Sequence, residues 1–583
     1  MKGRCMEPPR QEYPRPQLVR ERWLNLNGRW AFEFDPGRSG IQRGLPQADR
    51  LHGEILVPFC PESRLSGIGD VDFHAGVWYR RTFRIPEEWE GSRVLLHIGA
   101  VDHDAFVWVN GRLAGRHRGG YTPISLDVTD YLARGENVLT VHAQDETRDP
   151  LVASGKQCPD YESRRCHYTR TTGIWQTVWL EPVPQTYLRS LRLTPDLRGG
   201  RLLVEARLGG RGGRGRLQAR ASLGGAPMGE AQVAVAGQTA YLVLPLAEVH
   251  PWGPGHPTLY DLALTLQGDG GRPDEVSSYF GLRSTGIHGR ALTLNDEVLY
   301  QRLVLDQGFY PDGIYTAPSD EALRNDIVIS QGLGFNGARL HEKVFEPRFL
   351  YWADRLGYLV WGEFANWGLD VSRPEALEVF LPQWLEALER DYSHPSLVGW
   401  CPLNETQVDQ DPEVVRNIYR VTKAVDATRP TIDTSGYQHV ETDIYDVHDY
   451  NQDVTTFRAR YDALARGEEP FRNRPDHDCA YQDGQPYFVS EYGGIWWNPK
   501  QQDERGWGYG GVAGRPRSPE EFLARYEGLT KALLENPRIC AFCYTQLYDV
   551  EQEVNGLYTY DRTPKFDPAL LRRINAAPAA IEG

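Results

Sequence analysis

The sequence predicts three domains in series: a jelly-roll-like β-sandwich over residues 1–185, an immunoglobulin-like β-sandwich over 186–283, and a (β/α)8 barrel over 284–583. Three observations predict this. At 583 residues the chain is longer than one hydrophobic core supports, and about three domains is the natural division. Up to residue 283 the apolar runs are strand-length and broken by Gly, Asp and Pro; beyond it they alternate with amphipathic helical stretches, the mark of parallel strands and crossovers. Two of the later runs, Trp400-Cys401-Pro402-Leu403-Asn404-Glu405 and Tyr487-Phe488-Val489-Ser490-Glu491, end on a glutamate, although burying an unpaired carboxylate is costly.

In the first domain, after a Pro- and Arg-rich leader, strands are expected at 28–34, 77–83, 93–98, 105–109 and 137–141. In the first of them Trp30, Phe32 and Phe34 share one face. Asn110-Gly111 is a two-residue hairpin turn. The polar loop 156–170, with Cys158, Asp160, Tyr161, Arg164, Arg165 and His167, either leans over another domain's pocket or stands in solvent. His103 and His117 lie beside turns and are expected at the surface.

In the second domain strands are expected at 201–206, 231–235 and 259–266. The glycine- and arginine-rich run 209–215 reads as an exposed hairpin loop rather than an RNA-binding tract, being short and set in an acidic chain.

The third domain offers eight strands, at 299–306, 335–340, 358–364, 397–404, 431–435, 444–449, 487–491 and 541–547, and helices at 319–331, 348–356, 374–392, 412–425 and 519–534. Ser319 and Ser518 are N-caps, the latter in a capping box with Glu521, and Gly357 is a helix stop. Barrel sites lie at the carboxyl ends of the strands. The polar residues there include Asp306, Arg339, His341, Glu363, Asn404, Glu405, His448, Tyr450, Glu491, Tyr544 and Gln546. Carboxylates at strands four and seven make an acid and nucleophile pair, the equipment of a glycoside hydrolase.

A formal net charge of -15 argues against nucleic-acid binding, which needs a basic surface. No apolar run reaches membrane-spanning length, and the amino terminus lacks a secretory apolar segment. The eight cysteines show no disulfide or zinc spacing, and Cys540-x-x-Cys543 reads as part of a strand; a reducing, cytoplasmic setting is expected.

The chain resembles glycoside hydrolase family 2, the β-galactosidases, β-glucuronidases and β-mannosidases, over nearly its whole length. The resemblance rests on Gly76-Val77-Trp78-Tyr79-Arg80-Arg81-Thr82-Phe83, Gly173-Ile174-Trp175 to Glu181, Phe280-Gly281-Leu282-Arg283, Asn336-Gly337-Ala338-Arg339, the Trp400 to Glu405 segment and Ser490-Glu491-Tyr492-Gly493. It implies a sugar-binding role for the first sandwich, Glu405 as acid/base and Glu491 as nucleophile of a retaining mechanism. It also implies Asn404 on the sugar 2-hydroxyl, Arg339 positioning Glu491, and His448 or Tyr450 bonding the nucleophile or a hydroxyl. A neighbouring carboxylate and partial burial are expected to keep Glu405 protonated. Asp306, His341 and Gln546 are further substrate-binding candidates. Trp496, Trp497 and Tyr544 either stack on a sugar face or pack the loop.

Departures from the family bear on the sugar. Leu303-Val304-Leu305-Asp306-Gln307-Gly308 and His341-Glu342-Lys343-Val344 replace the usual segments after strands one and two. Residues 551–558 lack the Asn-x-Lys pair with which glucuronidases bind the sugar carboxylate. The expected activity is therefore an exo-acting retaining β-glycosidase, β-galactosidase first, with β-glucuronidase or β-mannosidase as the enzymatic alternative. A non-catalytic carbohydrate-binding protein is the alternative from another class. The partner is a small glycoside or oligosaccharide, with no cofactor, no metal and no membrane; self-assembly is expected only by analogy.

Overall fold

The computed structural model describes residues 7–210, 213–268, 271–500 and 505–583. In the first domain a six-stranded sheet (in order Gly53–Val57, Gly28–Phe34, Gly76–Arg84, Glu136–Gln144, Asp104–Val109, Arg112–Arg118) packs on a four-stranded one. Alternation sends Trp30, Phe32, Tyr79, Val107 and Val141 inward to meet Leu96, Ile98 and Leu180 of the smaller sheet. Phe34 lies at the margin of this core. Asn110 and Gly111, at φ 51° and 73°, make the tight turn between Asp104–Val109 and Arg112–Arg118, the hand that matches strand twist.

Of the two histidines expected at the surface, His103 is buried and His117 is half-buried. His103 is covered because the segment Val101–Asp102 pairs with Gly173–Ile174 and Gly119 closes over it. His117 reaches Glu386 on a barrel helix at 3.0 Å, so its turn lies against a neighbouring domain.

The second domain is a seven-stranded sandwich. Thr186–Asp196, Arg201–Gly210 and Thr239–Pro245 face Ala226–Gly237, Gly213–Leu223, Tyr260–Gly268 and Asp274–Phe280. The strands on either side of the glycine-rich run belong to opposite sheets, so the run forms no hairpin: Gly210 pairs with Thr186, and Gly213 with Gly237. Arg211 and Gly212 of that run lie outside the described residues.

The leader straps the domains together. Arg10 makes a two-pronged contact with Glu346 of the barrel, at 3.1 and 2.6 Å. Arg20 grips Asp274 of the second domain at 2.9 and 2.8 Å and Glu181 of the first at 2.8 Å. Guanidinium suits this work because its fixed fork meets carboxylates in two places at once.

In the third domain a hairpin meander (Thr285–His288, Ala291–Leu294, Glu297–Val298) precedes parallel strands Gln301–Asp306, Gly337–Leu340, Leu359–Glu363, Leu397–Cys401, Tyr445–Asp449, Tyr487–Gly493 and Ile539–Thr545. These seven form one curved sheet. The remaining strand, Thr434–Ser435, pairs with Leu403–Asn404, which continues the fourth strand past Pro402. Leu303, Leu305, Leu359, Trp361, Val398, Ile432 and Phe488 fill the barrel's interior. Trp361 fits because a Cβ on Gly399 would stand 2.5 Å from its ring.

The five expected helices form, as Asp320–Gly332, Pro347–Leu356, Ala376–Asp391, Pro412–Val425 and Pro519–Leu534. Ser319 and Ser518 cap as expected, and Gly357 ends its helix at φ 68°. Glu521 returns its side chain to the Arg517 N–H rather than closing the reciprocal box. Two more helices, Val454–Ala465 and Pro568–Asn575, complete the layer. Cys540 and Cys543 lie buried in a strand, and every cysteine among the described residues is free; Cys5 lies outside them. No helix among the described residues is long and apolar enough to cross a membrane.

Candidate active site

Strand geometry and two local irregularities aim the polar groups at the barrel's carboxyl end. In Gly337–Leu340, Ala338 and Leu340 face the helix layer, so Arg339 points into the barrel. Against both neighbours the pairing register slips at Ser490, an extra residue in the seventh strand. Such a bulge re-aims side chains. Here it brings both Ser490 and Glu491 toward the space that Asp446 and His448 of the sixth strand face by plain alternation. Glu405 follows the fourth strand with φ 50°, a left-handed conformation few non-glycine residues adopt, held by its N–H bond to Ser435 O at 2.9 Å.

These residues meet. One side-chain ligand atom from each of Glu405, His448 and Glu491 lies within 4.8 Å of the others. His448 Nδ1 stands 2.8 Å from Glu405 Oε1 and 3.3 Å from Glu491 Oε2. Arg339 donates to Glu491 Oε1 (3.1 Å), Ser490 O (2.9 Å), Glu363 Oε1 (2.6 Å) and Asn404 Oδ1 (3.1 Å), spending its fork on the site's framework. The Tyr450 hydroxyl donates to Glu491 Oε2, its ring stacked on Tyr509 at 3.3 Å. His341 lies between Glu363 (3.0 Å) and Glu491 (3.9 Å); burial and the nearby cations push its pKa well down, which keeps it neutral.

The protonation differs from the sequence expectation. Burial pushes the Glu405 carboxyl up, but the hydrogen bond and charge of His448, with help from Lys156 and Arg339, outweigh it and the net direction is down. For His448, burial works against the cation, yet Glu491 and Glu405 raise its pKa. The resting proton thus sits on the imidazole between the glutamates. His448 Nε2 in turn contacts Ser435 Oγ at 3.0 Å, and Ser435 donates to Asp446 at 2.8 Å, so both ring N–H groups have acceptors.

Asn404 is anchored by its N–H to Asn366 Oδ1 (2.7 Å) and by Trp367 Nε1 to its carbonyl (3.2 Å); its side-chain amide nitrogen is buried without a partner among the described residues. Other candidates do not join the pair. Asp306 is engaged by the Gly308 N–H at 2.9 Å and by the Tyr548 hydroxyl, away from both glutamates' contacts. Gln546 accepts from Gln307 at 2.8 Å. Tyr544 corrects the reading of its strand: alternation turns it outward, where it packs against Tyr492 and Tyr526 of helix Pro519–Leu534, so it cannot stack on a sugar inside. Trp497 is part of the barrel's apolar core, and Trp496 lies under the Arg515 guanidinium at 3.9 Å.

The 156–170 loop does lean over the barrel. Ser154 and Gly155 donate their N–H groups to Trp367 O at 2.8 and 3.0 Å, and Tyr168 donates its hydroxyl to Glu553. Lys156 Nζ stands 3.8 Å from the centre of the Trp367 ring, and the His167 ring lies 5.1 Å from it. Lys156, Trp367 and Glu553 escape sequence reasoning, since each sits in a loop without an apolar run to mark it.

Two sandwiches before an eight-stranded parallel barrel, with paired glutamates at strands four and seven, define a glycoside hydrolase. The family models for glycosyl hydrolases family 2 match in order: the sugar binding domain at residues 69–181, the family 2 domain at 186–283 and the TIM barrel domain at 317–500. The chain belongs to glycosyl hydrolases family 2. It is 25% identical over 456 residues to a β-glucuronidase of Paenibacillus borealis, covering 72% of this chain and 74% of that one. It is 23% identical over 445 residues to a β-galactosidase of Thermoanaerobacter pseudethanolicus, covering 70% of this chain and 54% of that one. Among solved structures, a β-glucuronidase from Ruminococcus gnavus in complex with N1-substituted uronic isofagomine superposes with a TM-score of 0.79 at 18% identity, over 97% of this chain and 100% of that one. A β-galacturonidase from Eisenbergiella tayi superposes at 0.76 and 19% identity, over 97% and 98%.

Proposed function

We propose that the protein is a retaining exo-β-glycosidase in which Glu491 is the nucleophile and Glu405 the acid/base. The observation that carries this is the approach of the two carboxylates to within 4.8 Å through single oxygens, close to the roughly 5–5.5 Å of retaining enzymes and too near for the interposed water of inversion. Glu491 attacks the anomeric carbon as the glycosidic C–O bond breaks, and Glu405 gives its proton to the departing oxygen. Water then attacks the ester, Glu405 takes its proton, and the Glu491 carboxylate is released. Because His448 holds the resting proton 2.8 Å from Glu405, it can pass that proton across when substrate arrives. Arg339 and Tyr450 orient the nucleophile, and the free amide N–H of Asn404 is placed to bond the sugar 2-hydroxyl.

The sequence favoured galactose. The named relatives divide between β-glucuronidases and β-galactosidases, while the superposed structures cited above are a glucuronidase and a galacturonidase. They support a β-linked hexuronic acid as the sugar. A panel of nitrophenyl β-glycosides, with the first-formed product anomer followed by NMR, tests both parts. Retention with uronides preferred is expected; an inverted anomer would sink the mechanism, and a preference for a neutral glycoside would sink the sugar.

A further inference from the structure

We infer that Lys156, delivered by the first sandwich, is the residue that binds the sugar carboxylate, taking the place of the barrel-loop lysine that residues 551–558 lack. This rests on the uronide reading above.

Lys156 is 5% exposed, yet its ammonium makes no hydrogen bond and no ion pair among the described residues; its short contact is the face of Trp367 at 3.8 Å. A buried cation without a carboxylate partner is costly and rare. Its position is fixed by its neighbours. Gly155, at φ 59°, lies so close to the barrel that a Cβ there would stand 2.4 Å from Glu342 O, and the N–H groups of Ser154 and Gly155 are tied to Trp367 O. Trp367 is also the residue that bonds Asn404 O, so Lys156 and the proposed 2-hydroxyl contact are mounted on one indole.

The other cations of the site already hold its framework. Arg339 is committed to Glu363, Glu491, Ser490 and Asn404, and His448 to Glu405 and Ser435. Lys156 is therefore the ammonium with donors to give. Burial works against its charge, but Cys166, Glu553, Glu491 and Glu405 hold its pKa above the ordinary lysine value. Glu553, where a carboxylate would most oppose an anionic sugar, is occupied: Tyr168 donates to one oxygen and Asn555 Nδ2 to the other at 3.0 Å. The Trp367 face takes up none of the three ammonium N–H donors in a hydrogen bond to oxygen, and an ammonium so held is a compact point charge that suits a carboxylate.

The test compares wild type, Lys156→Met and Lys156→Arg on nitrophenyl β-glucuronide and β-galacturonide against the matching glucoside and galactoside. With Lys156→Met the uronide kcat/KM should fall roughly 100-fold, the loss expected when one side of a desolvated charge pair is removed. The neutral glycosides should change little, and Lys156→Arg should recover part of the loss. Uronide turnover within about threefold of wild type, or equal losses on both sugar types, overturns the assignment. A wild type that prefers neutral glycosides overturns the uronide reading itself, and the two failures are thereby told apart. Should Lys156→Met not fold, Lys156→Gln takes its place in the same comparison, and uronide turnover within about threefold of wild type refutes the role of Lys156.

Discussion

Replacing His448 with glutamine separates its charge from its shape. In the resting enzyme His448 bonds Glu405 at 2.8 Å and lies 3.3 Å from Glu491, and its charge is what draws the Glu405 pKa down against burial. For charge centres about 4 Å apart at an effective dielectric near 20, the attraction is about 4 kcal/mol. Two features reduce that figure. Glu405 keeps 13% of its side chain in contact with solvent, and the imidazolium divides its attraction between two carboxylates. The Glu405 carboxyl is then expected to titrate higher in the variant.

The readout is the pH profile of kcat/KM, whose limbs belong to the free enzyme. Because the two glutamates and the histidine titrate together, the limb reports the group and not one residue. In wild type the pair keeps its proton up to the raised pKa of His448, whereas in His448→Gln the proton is held by Glu405 alone, so the basic limb of His448→Gln moves down even though the Glu405 carboxyl itself titrates higher. Turnover falls as well, because the nearby proton donor is gone. A basic limb that stays in place, or moves up, would refute the view that this cation holds the resting proton of the pair.

Other variants test the remaining roles. Glu491→Ala should abolish glycosyl-enzyme formation and recover part of its turnover with azide, giving an inverted glycosyl azide; unchanged turnover without azide would remove the nucleophile role. Glu405→Ala should slow substrates with poor leaving groups far more than activated ones, and equal losses would count against acid catalysis. Glu181→Gln addresses the strap. Burial raises the Glu181 carboxyl, but Arg15 and Arg20 outweigh it and its folded pKa lies far below the ordinary glutamate value of 4.5. Its contribution is therefore full above about that pH and is lost as pH falls below it. The variant should cost about 3–5 kcal/mol at neutral pH and lose less stability on acidification than wild type. A melting curve at neutral pH matching wild type would show the cluster to be dispensable.

The sequence made the architecture legible because both kinds of periodicity are strong here. Alternating strands such as Gly28–Phe34 and helices with serine caps at Ser319 and Ser518 announce themselves through local rules. Helix Val454–Ala465 was missed for the converse reason: Phe457, Tyr461 and Leu464 are its buried residues, too thin a stripe to stand out. Of the site, Glu405 and Glu491 could be read because each ends an apolar run. What failed to read were faces and protonation. Tyr544 sits on the right strand, but one position of alternation sends it to the helix layer, while the bulge at Ser490 brings Glu491 inward against simple counting.

The least legible part of the site is the part other domains supply. Lys156 lies more than 200 residues before Glu405 in a loop of mixed polarity, and nothing in its own neighbourhood distinguishes it from a solvated lysine. Its meaning comes from a barrel loop that presents Trp367, from a glycine that lets backbone meet backbone, and from an arginine that already holds Glu363, Glu491, Ser490 and Asn404. On the uronide reading, the barrel alone offers an anionic sugar only Arg339 and His448, both already bound to the two glutamates. Docked against the first sandwich it acquires Lys156. Exchange of that sandwich loop, with the barrel untouched, should therefore change which sugar the enzyme accepts while leaving the bond-breaking pair intact.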